Sequence, residues 1–507
     1  MDKFIHSVKL DEDACIGCIN CIKYCPTQAI RVHNGKAKIT PEFCVDCGRC
    51  LRYCPHHAKV AIYDSIEEIR NYKYTVALPA PSLYTQFNNL TNVDIVLNAL
   101  LSMGFDDVFE VSAAAELVSE ASRAYISEHR DEAPFISTAC PTIVRIIRVK
   151  YPTLIPRLLP LKPPVEVAAE IARKRAIEKT GLKSEDIGIF FISPCPSKVT
   201  YVKSPLGIDK SQIDKVLAIK EVYPILLEHM THDESKLKPL AASGRIGIGW
   251  SNAGGESAGL ITDNYLACDG IMSALRVLGD LEDEKFHGLK FVELNACNGG
   301  CVGGPLTVEN PYVATAKSKK LHRYLPVAQT HASNFDDIDY HWSSFVEYEP
   351  VFRLGHSFRE SLEMMGLIEE LTEQLPGLDC GSCGAPTCRA LAEDIVRGEA
   401  TRTDCIYAFH EDINTLSAEE NDFRVLTIVA PGQKGEKNTE DFKKWFSGVE
   451  NTEHITVLFD TDGAYGTQAG VRGYPTSEYI GSDGVMVRLV PGHADNETIK
   501  TVFESVK

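Results

Sequence analysis

Cysteine is the residue through which this chain can do chemistry: 17 thiols occur in 507 residues, and nearly all fall into short, regular spacings. Cys15, Cys18, Cys21 and Cys25, followed by Pro26, recur as Cys44, Cys47, Cys50 and Cys54, followed by Pro55. This is C-x2-C-x2-C-x3-C-P written twice. Thiolates so spaced wrap cubane iron-sulfur clusters, the fourth cysteine of each run crossing to the other cluster. One 4Fe-4S cluster is therefore expected on Cys15, Cys18, Cys21 and Cys54, and a second on Cys44, Cys47, Cys50 and Cys25. A zinc ribbon would use paired C-x2-C knuckles rather than a duplicated four-cysteine run ending in proline.

Four more thiols are far apart in sequence: Cys140 in STACPTIVR, Cys195 in ISPCPSKVT, and Cys297 with Cys301 in ELNACNGGCVGGP. Each follows an apolar run, where strand ends and loops present ligands. Any one alone would read as a buried core thiol. Cys380, Cys383, Cys388 and Cys405 stand at C-x2-C-x4-C-x16-C, a set able to enclose a further 4Fe-4S cluster. A structural zinc site is the competing reading there, and metal analysis separates the two. Cys268, in YLACDG, is left over and is expected to be a buried apolar thiol.

The elements that must hold these residues alternate. From about residue 72, apolar segments such as YTVALPAP, DIGIFFISP, RIGIGW and LKFVELNAC are separated by helical stretches, the pattern of an α/β domain. A helix is expected around SFRESLEMMGLIEELTEQL, a polar linker near 411–422, then strand, helix, strand and a hairpin. The chain divides into residues 1–64, 65–350, 351–415 and 420–507, an α/β multidomain protein. Its net charge of -18 argues against nucleic acid and anionic membrane surfaces as partners. MDKFIHSVKL lacks the apolar core of a signal peptide, and no apolar run is long enough to span a bilayer, so a cytoplasmic address is expected. Many thiols in such a compartment point to metal rather than disulfides.

Residues 1 to about 60 resemble a bacterial two-cluster ferredoxin. Over 72–350 the segments around Cys140, Cys195, Cys297 and Cys301 resemble, in order, the three signature segments of iron-only (FeFe) hydrogenases. The resemblance implies that these four cysteines hold the 4Fe-4S half of an H-cluster, Cys301 also bridging to a two-iron subsite with CO, CN and dithiolate ligands. It implies that Lys198 faces a cyanide of that subsite, and that Ala80, Pro81 and Ser82 lie near the other. Gly299, Gly300, Gly303 and Gly304 would let backbone approach a bulky inorganic group. The CGAPTC core resembles the small iron-sulfur domain of several redox subunits, and 420–507 resembles a thioredoxin-like domain. The family's cis proline would there be Pro475, but APGQKGE stands where the redox C-x2-C belongs, and without a thiolate there is no disulfide exchange.

Departures from the hydrogenase pattern bear on rate. Catalytic members carry a proton-relaying cysteine just before the first ligand; here it is Ala139. Methionines near the two-iron subsite are replaced by Ser193 and Asn295, and a motif glutamate by Tyr201. Glu116 and Glu120 are the carboxylates left to substitute. The combination resembles the sensory type, and implies a cofactor that reacts reversibly with hydrogen and protons but cycles slowly. The alternatives are a catalytic hydrogenase in fermentative hydrogen metabolism and a non-enzymatic iron-sulfur scaffold. The resemblance also implies a redox or signalling protein partner and dedicated hydrogenase maturation proteins. The oligomeric state, a homodimer among the options, is left open.

Overall fold

In the computed structural model, residues 6–335, 337–350 and 354–408 are described, together with 426–430, 438–447, 456–469, 471, 476–480, 486–491 and 501. The chain forms two compact units, Met1–Val351 and Phe352–Lys507.

The duplicated cysteine run folds as two related halves. β1 (Val8–Leu10), β2 (Ile30–His33), β3 (Lys36–Ile39) and β4 (Lys59–Ala61) pair antiparallel as β1 with β4 and β2 with β3. Gly17 and Asp46 hold the same place in the two runs, and both take left-handed φ, +75° and +51°. At Gly17 this requires glycine, since a Cβ would come 2.4 Å from the Gly35 carbonyl oxygen. Asp46 tolerates the conformation because its carboxylate accepts the backbone N–H groups of Ser7 and Val8 at 2.9 and 3.1 Å.

The next strands are β5 (Tyr74–Pro79), β6 (Asp107–Val108), β7 (Phe135–Ile136), β8 (Ile187–Ser193), β9 (Lys215–Ala218), β10 (Tyr265–Asp269) and β11 (Phe291–Asn295). They build two parallel sheets, ordered β6-β5-β8-β9 and β10-β11-β7. β8 is apolar on both sides because both faces are covered, as parallel strands require. Its Ile189 and Phe191 join Val76 and Leu78 against the helices Val111–Glu128 and Pro164–Thr180. Phe190 and Ile192, pointing the other way, join Ala77 against Asp94–Ser102 and Ile219–His229. In the second sheet Ile136, Val292 and Leu294 pack on Pro141–Lys150 and Ile271–Glu282. The α/β expectation is met.

In the second unit the helix Phe358–Gln374 is capped by the Ser357 hydroxyl, which accepts from the Glu360 N–H at 3.2 Å. It shares a core with the helix Cys388–Val396 through Ile368, Leu375, Leu391 and Ala390. Beyond these, β12 (Leu426–Val429) runs parallel to β13 (Thr456–Phe459), with the helix Thr439–Phe446 between them in sequence. β14 (Thr476–Ile480) and β15 (Met486–Pro491) pair antiparallel. The strand, helix, strand and hairpin order matches the sequence expectation. Pro475, most of APGQKGE and the 411–422 linker lie outside the described residues.

Candidate metal centres

In the ferredoxin-like halves the thiols gather in two groups. Cys21 lies within electrostatic reach of Cys18, Cys15 and Cys54, while Cys25, Cys44, Cys47 and Cys50 line one pocket. Backbone N–H groups already point at sulfur: Ala29 donates to Cys25 Sγ at 3.2 Å and Ala58 to Cys54 Sγ at 3.3 Å. Burial pushes Cys21 up to about 11 and Cys44, Cys47 and Cys50 well above the usual thiol range. Thiols so placed are neutral unless a cation holds them as thiolates, and metal coordination deprotonates a thiol outright. The donor set therefore fits iron.

The four dispersed thiols meet where strand ends converge. Cys140 follows β7 and Cys195 follows β8; each is the N-cap of a helix whose first residue is proline, Pro141–Lys150 and Pro196–Lys203. Proline is suited there because its missing N–H is one the first turn leaves unbonded anyway, and the helix N-terminus favours a thiolate. Cys297 and Cys301 lie beyond β11. All four lie within electrostatic reach of one buried ammonium, Lys198, whose Nζ is 3.6 Å from Cys301 Sγ. Burial alone would lower this lysine, but the four sulfurs, Cys301 foremost, hold it above the ordinary lysine range. Burial likewise raises Cys140 and Cys297 and takes Cys195 to about 11.

Glycines shape the loop around Cys301. Gly299 and Gly300 have φ of +77° and +87°. A Cβ on Gly303 would lie 2.0 Å from the Asn298 carbonyl oxygen, and one on Gly304 2.2 Å from that of Pro194. The second cysteine run packs directly on this region. Arg52 donates to the Gly303 and Gly304 carbonyls, the latter at 2.7 Å. Thr142 donates to the Val45 carbonyl at 3.3 Å, and Thr200 to Asp46 at 2.8 Å.

Ala80, Pro81 and Ser82 form the buried exit of β5, with the Ser82 hydroxyl lacking a partner. Ser193 spends its hydroxyl on Cys195, donating to its carbonyl at 3.0 Å. Asn295 donates to Glu293 at 2.8 Å, and Tyr201 is buried with an unpartnered hydroxyl. Cys268 is half-buried against the second sheet's core. Glu116 is committed elsewhere: it accepts the N–H groups of Gly244, Gly247, Gln329 and Thr330. Glu120 bonds His331 and the Ala332 N–H. Neither is hydrogen-bonded to the cysteine segments, so the expectation that they replace the missing relay finds no geometric support.

A different line of groups reaches Ala139, one that sequence reading missed. The Ala139 N–H donates to the Ser137 hydroxyl at 3.2 Å, and that hydroxyl donates to Glu256 at 2.5 Å. Burial and the neighbouring Glu293 push Glu256 up to about 8. Burial raises Glu293 as well, against donors from Ser257, Gly254 and Asn295. Glu256 is thus the member that keeps a proton near neutrality.

In the second unit Cys380, Cys383, Cys388 and Cys405 line one pocket. The Asp379 carboxylate accepts the Cys388 N–H at 2.7 Å, and Thr387 caps the helix that Cys388 opens by accepting from Ala390 at 3.0 Å. Burial takes Cys383 to about 12, so this thiol needs a cation to become thiolate.

Comparison with known proteins agrees with this arrangement. Residues 73–255 match the family model of the iron-only hydrogenase large subunit, C-terminal domain. Residues 7–55 match a 4Fe-4S dicluster domain, and 375–407 an Fe-S cluster domain. The periplasmic [Fe] hydrogenase large subunit of Nitratidesulfovibrio vulgaris is 26% identical over 38% of this chain and 51% of its own length. Iron hydrogenase 1 of Clostridium pasteurianum is 24% identical over 45% of this chain and 40% of its own. The chain thus spans about half the length of these curated relatives. A solved [FeFe]-hydrogenase from Chlamydomonas reinhardtii is 17% identical with a TM-score of 0.40, over 50% of this chain and 87% of that one. Among the described residues no helix is long and apolar enough to cross a membrane. The dicluster model covers the two N-terminal cysteine runs, the hydrogenase model Cys140 and Cys195, and the third model the terminal set, so the chain is similar to FeFe hydrogenases over residues 73–255 and carries iron-sulfur cluster domains on either side.

Proposed function

We propose that this chain is an oxidoreductase that reacts reversibly with hydrogen at the site of Cys140, Cys195, Cys297 and Cys301, and exchanges the electrons through three further 4Fe-4S clusters. The observation that carries the reading is Lys198, a buried ammonium set 3.6 Å from Cys301 Sγ among four thiols. An H-cluster bound there would supply the metal chemistry that splits hydrogen into protons and electrons. The chain's own part is to hold and tune. Lys198 presents N–H donors to an anionic ligand, and such charge-assisted bonds are about twice as strong as neutral ones. Ser82 leaves a buried hydroxyl without a protein partner in the same domain. Glu256, reached from Ala139 through Ser137, holds a proton near neutrality. Arg52, in the helix that follows Cys47, donates to the Gly303 and Gly304 carbonyls, and this packing supports the second ferredoxin-like cluster as the adjacent electron relay.

Ala139 removes the thiol that would exchange protons fastest at this place, so turnover is slow and a sensory or regulatory role fits better than bulk hydrogen metabolism. A redox or signalling protein receives the electrons, maturation proteins deliver the two-iron subsite, and the thiol-rich chain works in the cytoplasm. Infrared spectroscopy after exposure to maturation proteins tests the reading. Bands from iron-bound carbon monoxide and cyanide are expected. Full iron loading with no such bands would leave the scaffold role, and hydrogen oxidation as fast as in catalytic relatives would overturn the slow, sensory part.

A further inference from the structure

The two halves of the ferredoxin-like region differ in charge at one buried strand position. The first run continues Cys25-Pro26-Thr27-Gln28-Ala29-Ile30, the second Cys54-Pro55-His56-His57-Ala58-Lys59, so Lys59 stands where the sister repeat has Ile30. Gln28 and His57 share left-handed φ of 57° and 51°, and Ala29 and Ala58 each donate to the sulfur of their run's last cysteine. The backbones of the two repeats therefore correspond up to this residue. Ile30 is 2% exposed and lies in the apolar cluster with Cys15, Cys21 and Cys54. Lys59 is 5% exposed, while its neighbour on β4, Val60, is 41% exposed. The strand thus turns its lysine inward and its valine outward, against what hydrophobicity alone would select.

The Lys59 Nζ is buried with no hydrogen-bond partner. An unpaired ammonium out of water is costly, and buried charges are normally paired. It follows directly on Ala58, whose N–H donates to Cys54 Sγ at 3.3 Å, and lies within electrostatic reach of Cys21, of the first ligand set, and Cys50, of the second. Register with Leu10 on β1 fixes the strand, so the side chain cannot slip outward without flipping its neighbours.

We propose that Lys59 is the counter-charge shared by the two ferredoxin-like clusters, a positioning residue that raises both reduction potentials. The inference rests on the cluster reading of these eight cysteines. A cluster becomes more negative by one charge when it accepts an electron, so a fixed positive charge beside it favours the reduced state; net charge is among the levers that set such potentials.

Potentiometric titration of the full-length, iron-loaded protein, followed by electron paramagnetic resonance, tests this on Lys59→Met, Lys59→Arg and Ile30→Lys. Lys59→Met should lower the reduced-to-oxidised ratio of both clusters about tenfold at fixed potential, about 59 mV for one electron. Lys59→Arg should stay close to the wild type, and Ile30→Lys should move potentials upward. Unmoved potentials in a Lys59→Met protein with both clusters assembled overturn the proposal and leave the cluster reading intact. Should Lys59→Met fail to assemble, Ile30→Lys decides alike, a null shift overturning the proposal. Wild-type protein lacking these two cluster signals overturns the cluster reading itself.

Discussion

The Ser137 hydroxyl donates to the Glu256 carboxylate at 2.5 Å and also takes the N–H of Ala139, the position at which catalytic relatives carry a thiol. A carboxylic acid thus stands one side chain behind the missing relay. General acid-base groups contribute about 10²–10⁴ in rate. Glu256→Gln is expected to lower hydrogen-linked turnover at least about tenfold at unchanged iron content. The pH profile gives the sign. Glu256 is protonated below about 8, so proton-donating activity should hold up to that pH and decline above it. The same raised value sets stability: the folded state keeps a proton that the unfolded chain gives up near 4.5, so the contribution is full below that pH and lost as pH rises through about 8. The apparent melting midpoint should fall less steeply across this window in Glu256→Gln. A wild-type profile without an inflection near pH 8 counts against the assignment.

Restoring the thiol asks the complementary question. Ala139→Cys places a titratable group beside Cys140 without disturbing the Ala139 N–H bond to Ser137. If proton delivery limits the rate, turnover in the matured protein should rise by about tenfold or more. In combination with Glu256→Gln the gain should shrink, because the new thiol needs the carboxylate behind it. An undiminished gain in the double variant would detach Glu256 from the route.

The thiol groupings are legible in the sequence because cluster spacing is local: three of the four thiols expected in each ferredoxin-like set sit within one turn-rich run, as in Cys44, Cys47 and Cys50. The α/β alternation is legible for the same reason, since β5 and β8 are apolar but for Thr75 and Ser193. The acid pair is not. Glu256 lies in the first turn of the short helix Gly255–Gly259 and Glu293 within β11, and they come together only where the Gly254 and Ser257 N–H groups of that helix start bond the Glu293 carboxylate. Glu116 drew attention by its place in the sequence, yet four backbone N–H groups consume it in tying the 244–247 and 329–330 segments to the helix Val111–Glu128. Lys59 was in plain view as a break between repeats, but its inward direction required the β1–β4 register.

The loop that carries Cys301 yields a prediction independent of hydrogen chemistry. Gly300 has φ +87°, and a Cβ there would meet the Ala253 nitrogen at 2.6 Å and the Ser251 carbonyl oxygen at 2.9 Å. Those atoms cannot retreat cheaply, because the Ala253 N–H donates to the Gly299 carbonyl at 3.0 Å and the Val302 N–H to that of Ser251 at 3.0 Å. A left-handed L residue costs about 1–2 kcal/mol, and overpacking adds about 1–3 kcal/mol. Gly300→Ala is therefore expected to lose about 2–5 kcal/mol of stability and to displace Cys297 and Cys301, so that the iron bound by this site falls while the ferredoxin-like clusters keep their signals. Gly279→Ala is the control. It lies in the helix Ile271–Glu282 with nothing within 4 Å of its Cβ position, so alanine there should stabilise by about 0.5–1 kcal/mol. Thermal melts with iron analysis read both outcomes. Equal behaviour of the two variants would show that the loop has room to move, and that close approach of backbone to the Cys301 site is not what Gly300 secures.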